Sequence, residues 1–243
     1  MIQKKGKSPH AGLGTIDKSE PHAKGGKYIR DVVFGANDGL VSVVALVTGV
    51  AGGVSNNKVV LLAGVAGAVA GAISMGLGAY ISNKSQIDFF KTEIDKEKHE
   101  LEHEPEKETM ELREIYANKG FKGKDLDKAV KIISSNKKVM LDVMIKEELG
   151  LDTDFNNPYL AGILSGVAFI LGSIVPVLPF FFQTSLALTI SIIASLIGLF
   201  ILGALKTIVV KKNPFELGIE SVAVGGLAMI VTYYVGTLFG VVV

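Results

Sequence analysis

The chain has 243 residues, 49% of them hydrophobic, and its 25 Lys and Arg residues nearly balance its 24 Asp and Glu residues. It contains no cysteine, which excludes disulfides, iron–sulfur clusters and thiolate metal sites, so any metal ligand must be an oxygen, a nitrogen or a thioether. No GxxxxGK[ST] phosphate loop occurs, and no nucleophile lies near a plausible base. Basic residues are interleaved with acidic ones, which argues against nucleic-acid binding. We therefore expect neither an enzyme nor a bound cofactor.

The first 27 residues are polar and rich in lysine, and they lack the apolar core of a signal peptide. This composition predicts a disordered tail in front of an uncleaved first membrane span.

Five apolar stretches follow, with few or no charges, and each is long enough for the roughly 20 residues that a membrane-spanning helix needs. They are residues 32–54, 59–82, 159–182, 186–209 and 217–242. The pattern predicts an all-α integral membrane protein, with spans 1 and 2 in residues 28–82 and spans 3 to 5 in residues 158–243. Glycines in the second span predict a closely packed helix face: Gly64, Gly67 and Gly71.

The distribution of lysine and arginine predicts the orientation, because positively charged flanks stay in the cytoplasm. The tail, the polar segment 83–157 and the connection after the fourth span are rich in lysine or arginine, whereas the opposite loops carry almost no charge. We therefore predict a cytosolic N-terminus, a cytosolic polar domain and a C-terminus on the far side of the membrane.

Residues 83–154 hold 18 of the 24 acidic residues. At about 100° per residue, four glutamates fall in one narrow helical stripe: Glu93, Glu97, Glu100 and Glu104. Pro105 can begin a second helix, on which Glu108 and Glu111 would face the first. A solvated, charge-rich helix is the simpler alternative. However, carboxylates packed together require protons or cations, and Fe²⁺, Mn²⁺ and Mg²⁺ all accept oxygen ligands.

Two further groups in this segment carry possible ligands. His99 and His103 lie four residues apart, but the helical wheel turns them away from the glutamate stripe, so we interpret them as surface residues. A third arm, residues 125–149, is predicted as two helices broken near residues 134–136. Its end places Met140, Met144 and Glu148 on one face, where the methionines could be core residues or thioether ligands. Either Glu147 or Glu148 could be the carboxylate that faces the other helices, and the spacing does not decide between them.

Asp38 in the first span and Met75 in the second are the candidate transport residues in the membrane. An ionisable side chain within a span is costly, so it is a functional candidate unless it only caps or snorkels. Asp31, Glu216 and Glu220 are candidates of second rank.

Most of the chain after the tail resembles the vacuolar iron transporter family. The similar segments are RDVVFGANDGLVSVVALVTGVAGG at 30–53, AGAISMGLGAYIS at 70–82, KEKHELEHEPEKETMELREIYANKGF at 96–121, VMIKEELGL at 143–151 and NPFELGIESVAVGGLAMIVTYYVG at 213–236. The resemblance implies five spans, a homodimer with the ion path between protomers, and a cytosolic three-helix metal-binding domain extended from the second span.

The resemblance also implies which residues bind metal. Its metal-domain ligands match Glu97, Glu100, Glu108, Glu111, Met144 and Glu148, and its membrane aspartate and methionine match Asp38 and Met75. Three positions depart from relatives: Ile145 replaces a second methionine of plant-type members, and Gly67 and Ala79 replace glutamates found in different members. The last two changes remove titratable groups.

Together these features predict export of Fe²⁺, and also of Mn²⁺, from the cytosol in exchange for protons. Two alternatives stay open. One is a membrane-anchored metal sensor or buffer that does not transport. The other is a membrane scaffold whose acidic residues only keep the polar segment soluble. The short tail and the metal domain favour a prokaryotic plasma membrane over a vacuolar one. The expected partners are divalent ions, protons, the lipid bilayer and a second copy of the chain.

Overall fold

The computed structural model describes residues 26–151, 155–207 and 212–240, and within these ranges all regular structure is α-helical. Eight helices follow one another in the order α1 Gly26–Gly53, α2 Asn57–His103, α3 Pro105–Asn118, α4 Gly123–Ser134, α5 Lys137–Glu147, α6 Pro158–Phe181, α7 Ala187–Leu205 and α8 Pro214–Gly240. The predicted tail lies outside the described residues, except for residues 26 and 27, which begin α1.

Five of these helices are long and apolar enough to cross a membrane: α1, α2, α6, α7 and α8. They coincide with the five predicted spans. The first begins six residues before position 32, because the helix continues through Tyr28 and Arg30 into more polar sequence. The predicted ends of the last two spans, at residues 209 and 242, lie outside the described ranges.

Helix α2 runs for 47 residues without a break, from the apolar second span into the acidic segment. At about 1.5 Å per residue this is a rod of about 70 Å, more than twice the thickness of a bilayer core. After Gly78 the sequence contains no glycine or proline until Pro105, so nothing interrupts the helix. Glu104 has φ −126° and ψ 47°, because the residue before a proline avoids the helical region.

Side-chain caps mark three other helix starts. Asn56, Asn136 and Asn157 precede α2, α5 and α6, and each side-chain oxygen accepts hydrogen bonds from backbone N–H groups of the first turn. Such caps supply acceptors that a helix N-terminus lacks. The break between α4 and α5 falls at the predicted place.

Helix α6 is the centre of the membrane bundle and packs against α1, α2 and α7, while α8 packs against α1 and α7. A buried cluster that includes Val43, Val47, Phe169 and Phe180 joins α1, α2, α6 and α7. At Gly39, a Cβ atom would overlap the backbone carbonyl of Phe169. A glycine there lets α1 and α6 approach at backbone distance, as small residues do in membrane helices.

The polar part of the molecule consists of the end of α2 together with α3, α4 and α5. Its buried core is formed by Leu101, Leu112, Leu126, Val130, Met140 and Met144. An ion pair of 2.7 Å between Arg113 and Asp127 joins α3 to α4. Helices α3 and α5 pack against the α2 extension, and α4 packs against α3 and α5, so this part has a core of its own.

Candidate metal site and membrane cavity

Three glutamates from three helices meet at one point of the polar part. One carboxylate oxygen each from Glu97 on α2, Glu108 on α3 and Glu148 at the end of α5 lie within 4.8 Å of one another. Pro105 makes this possible, because it ends α2 and turns α3 back along it. Among the described residues, this is the one group of three or more acidic or histidine ligands that are so close.

Two of the three carboxylates are buried without a compensating cation. Glu97 is 2% exposed and Glu108 is 0% exposed. Oε1 of Glu97 and both carboxylate oxygens of Glu108 have no hydrogen-bond partner among the described residues. As ionised groups both side chains can only accept hydrogen bonds, so a donor is missing until one of them takes up a proton.

The cluster therefore favours protonation. Burial, followed by the charges of Glu148 and Glu108, raises the pKa of Glu97 to about 8. Burial, and then the charge of Glu111, raises the pKa values of Glu108 and Glu148 above their ordinary range. A proton on Glu97 supplies the missing donor, because the protonated carboxyl can hydrogen-bond to Glu108.

The other two predicted glutamate ligands lie at the edge of this cluster. The side chains of Glu100 and Glu111 are 26% and 35% exposed, and their charges contribute to the raised pKa of Glu148. Two lysines extend to them: Lys96 lies 3.8 Å from Glu100, and Lys107 lies 3.6 Å from Glu111. The sequence reasoning overlooked these tethered cations, although their spacing of four residues from each glutamate was a visible signal.

The structure separates the two candidates at the end of α5. Glu148 joins the cluster, whereas Glu147 forms an ion pair with Lys119. Met144 is fully buried and, like Met140, packs in the apolar core with Leu101 and Leu112. The methionines thus have a packing role.

A divalent cation fits the chemistry of these residues. It would place positive charge where two buried carboxylates lack a partner, and it would displace the proton that otherwise stabilises them. An all-oxygen donor set is typical of sites for hard or borderline cations. The glutamates Glu97, Glu108 and Glu148 could hold such an ion directly, with Glu100 and Glu111 within the same electrostatic field.

A second feature lies in the membrane-spanning part. A cavity of about 800 Å³ between α1, α2 and α6 is lined by Asp38 and Met75, together with Asp31, Ser42 and Ser74. Asp31 is 8% exposed, and its Oδ2 atom has no hydrogen-bond partner among the described residues. The cavity thus holds two acidic side chains, of which the sequence reasoning had placed Asp31 only in the second rank.

The same cavity is lined by Gly67 and Ala79, the two positions at which the chain lacks glutamates found in relatives. Glu216 and Glu220 are exposed at the start of α8 and do not line it. Met75 and Glu97 lie on the same helix, 22 residues apart, which corresponds to about 33 Å along α2.

Comparison with known proteins agrees with this architecture. A model of the VIT family matches residues 29–237. Vacuolar iron transporter 1 of Eucalyptus grandis is 33% identical over 212 residues, which cover 86% of this chain and 85% of that protein. Vacuolar iron transporter 1 of Arabidopsis thaliana is 33% identical over 213 residues, with 86% and 85% covered. The vacuolar iron transporter of Plasmodium berghei is 32% identical over 247 residues, with 96% and 90% covered.

These matches extend across the membrane helices and the acidic part alike, and members of the family are transporters. The names of these three relatives refer to vacuoles and give no support to the predicted prokaryotic plasma membrane. With five helices able to span a membrane and a family model that matches almost the whole described chain, the protein is a multi-pass membrane protein that belongs to the VIT family.

Proposed function

We propose that this chain transports Fe²⁺, and also Mn²⁺, out of the cytosol in exchange for protons. The observation that carries the proposal is the cluster of Glu97, Glu108 and Glu148, in which two carboxylates are buried and the three lie within 4.8 Å of one another. Carboxylates packed in this way are stabilised by a proton or by a cation. The same helix α2 leads from this cluster to the cavity that Asp38 and Met75 line. The names of the relatives, vacuolar iron transporters, support iron as the cargo.

The glutamate cluster is the capture site in this proposal. At neutral pH Glu97 is protonated, because its pKa is about 8, so an arriving cation displaces a proton. The ion is bound by Glu97, Glu108 and Glu148, with Glu100 and Glu111 joining as it displaces their lysines. Met144, which is fully buried one turn before Glu148, adds a thioether ligand in this proposal.

The membrane cavity is the transport path. Asp38 supplies a charged oxygen and Met75 a soft thioether, a pair that suits Fe²⁺ better than Mg²⁺ or Ca²⁺. Because a carboxylate releases a cation when it is protonated, a proton gradient can drive the exchange at such a site. With glycine and alanine at positions 67 and 79, Asp38 and Asp31 are the acidic groups that line the cavity.

The orientation and the assembly belong to the same proposal. The basic flanks support a cytosolic N-terminus and a cytosolic acidic part. The cavity opens beside α2, which is poorly buried in the single chain, and a second protomer would cover it. A homodimer would then enclose the ion path between two copies.

Flux through proteoliposomes tests this function. Uptake of Fe²⁺ under reducing conditions and of Mn²⁺ is measured with and without an acidic lumen, for the native chain, Asp38→Ala and Asp88→Ala. Asp88 is the control, because it is an exposed aspartate on α2 whose one ion pair among the described residues is with Lys84 at 3.6 Å. We expect gradient-dependent flux that Asp38→Ala abolishes and Asp88→Ala preserves.

Other outcomes distinguish the alternatives. Metal binding without flux in any variant would identify a sensor or buffer instead of a transporter. Flux that persists in Asp38→Ala would remove this aspartate from the path. Flux that ignores the pH gradient would refute the exchange with protons.

A further inference from the structure

Two histidines form a feature of α2 that the glutamate cluster does not include. His99 and His103 belong to the sequence HELEH at the end of the helix, which has the spacing of the HExxH motif. That spacing places two imidazoles on one helix face, where metalloproteases bind zinc. Here the two rings are stacked, with centroids 3.9 Å apart and planes inclined by 16°, and both side chains are exposed to solvent.

A hydrogen bond determines which nitrogen of His103 is free. Its Nδ1 atom lies 2.9 Å from the backbone carbonyl oxygen of His99. Because a carbonyl only accepts, Nδ1 must donate, and the lone pair of the neutral ring is then on Nε2. Histidines that bind metal usually donate their other ring N–H to a carbonyl or carboxylate in this way, which fixes the tautomer and the ring orientation.

The spacing of the two rings suits chelation. Two zinc–nitrogen bonds of about 2.0–2.1 Å at a tetrahedral angle require nitrogens about 3.3 Å apart. The ring centroids lie 3.9 Å apart and both side chains are exposed, so small side-chain rotations can bring one nitrogen of each ring to this separation. Imidazole pairs suit zinc and other borderline divalent ions better than the hard ions that carboxylates prefer.

The histidine pair points away from the glutamate cluster. At about 100° per residue, the pair is centred about 140° around α2 from Glu97. Glu100, the glutamate of the motif, is instead half-buried and paired with Lys96 at 3.8 Å. No third acidic or histidine ligand among the described residues lies close to both rings, so the sequence motif does not form the three-ligand centre of a protease.

We propose that His99 and His103 form a second metal site, which binds Zn²⁺ or a similar borderline divalent ion through two imidazoles and water. The site is independent of the glutamate cluster, and it does not depend on the proposed transport function. Because water completes the coordination and both histidines are exposed, the site would exchange its ion readily. The chain would therefore bind a borderline ion on the outer face of α2 while the carboxylates remain available to other ions.

Nuclear magnetic resonance of histidine rings provides the test, because the chain has only four histidines. The full chain, labelled at histidine and stripped of metal in detergent micelles, is titrated with Zn²⁺. The titration is repeated with Glu97→Gln, Glu108→Gln and Glu148→Gln combined. We expect the signals of His99 and His103 to shift together in both proteins, and to do so at one Zn²⁺ per chain in the combined glutamate variant.

Single substitutions then test chelation. Loss of an outer-shell partner of a metal ligand costs about 10–100-fold in affinity, so His99→Gln, which removes a ligand itself, should weaken Zn²⁺ binding at His103 by at least about tenfold. A His10→Gln, His22→Gln double variant is the matched control and should keep the native affinity. Exposed positions such as His99 tolerate the change to glutamine, and circular dichroism checks that the helices are retained.

Three results would overturn the proposal. Signals of His99 and His103 that stay unchanged, or that respond separately, would show that no chelate forms. An unchanged affinity at His103 in His99→Gln would show the same. If the combined glutamate variant abolishes the response, the histidines belong to the carboxylate site and no independent site exists.

Discussion

Replacing Glu97 by glutamine should stabilise the metal-free acidic part of the protein at neutral pH. The pKa of Glu97 is raised to about 8 in the folded chain, against an ordinary value of 4.5. At pH 7 Glu97 is therefore ionised in the unfolded chain and mostly protonated in the folded chain, so ionisation stabilises only the unfolded state. Over about 2.5 pH units, at about 1.4 kcal/mol each, this destabilises the folded state by about 3 kcal/mol.

The sign of the pH dependence follows from the raised pKa. Below pH 4.5 Glu97 is protonated in both states, and it costs no stability. As the pH rises from 4.5 towards 8, the unfolded chain binds fewer protons than the folded chain, so stability falls. Above pH 8 the penalty is complete. The glutamine introduced by Glu97→Gln stays neutral and its amide can donate to Glu108, so the substituted chain lacks this loss.

Hydrogen exchange measures the effect in the full chain. Amide exchange of peptides from α2, α3 and α5 is followed in micelles with a chelator at about pH 5, 7 and 8. At pH 7 the exchange of these peptides in Glu97→Gln should reflect an opening free energy higher by about 2–3 kcal/mol, and the gain should shrink at pH 5. The control is Glu102→Gln, which removes an exposed carboxylate from the same helix.

Bound metal should make the native chain more stable than Glu97→Gln, which reverses the order expected without metal. Mn²⁺ should slow amide exchange strongly in the native chain and weakly in Glu97→Gln, which lacks one carboxylate ligand. A ligand that binds only the folded state stabilises that state. If Glu97→Gln exchanges as fast as the native chain at pH 7 without metal, or faster, then the buried carboxylate is not a source of instability. The reasoning about the cluster would then be wrong.

Three further predictions concern protons, a tethered cation and packing. Binding of Mn²⁺ at pH 7 should release about one proton or more, because Glu97 with a pKa of about 8 is mostly protonated. Calorimetry in two buffers of different ionisation enthalpy measures the number of protons released. The release from Glu97 should fall as the pH rises through 8. Lys107→Met should bind Mn²⁺ more tightly than Lys98→Met in a competition assay, since Lys107 pairs with a glutamate at the edge of the cluster; equal affinities would contradict this. Gly39→Ala should lower the free energy of unfolding by about 1–3 kcal/mol, because the added Cβ would overlap the Phe169 backbone of α6. Gly78→Ala should not, because no atom lies within 4 Å of the position of its Cβ; thermal denaturation compares the two.

The membrane spans were predictable because their signal is local. A bilayer requires about 20 consecutive apolar residues, and each of the five stretches provides them without help from the rest of the chain. The break at Pro105 was equally readable, since proline has a fixed effect on the residue before it. The split of the third arm into α4 and α5 followed from the Ser, Asn and Lys residues around position 135.

The site was predictable only in part. Helical spacing grouped the glutamates of one stripe and those facing it on the next helix: Glu93, Glu97, Glu100 and Glu104, with Glu108 and Glu111. The resemblance narrowed this set, but spacing describes one helix at a time. Whether Glu147 or Glu148 points inward depends on where α5 crosses the hairpin, and the ion pair between Lys119 and Glu147 follows from that crossing. Periodicity within α5 could not distinguish these neighbours.

The sequence by itself determined the class of the protein: a helical membrane protein with five spans and an acidic insertion, because hydropathy and charge are properties of the chain read in order. Only the tertiary structure decided which charges meet. It made Glu97, Glu108 and Glu148 neighbours across three helices and buried two of them, and it placed Asp31 and Asp38 on the wall of one cavity. The reason is physical: desolvation and charge repulsion depend on distances in space, which no pattern along one helix contains.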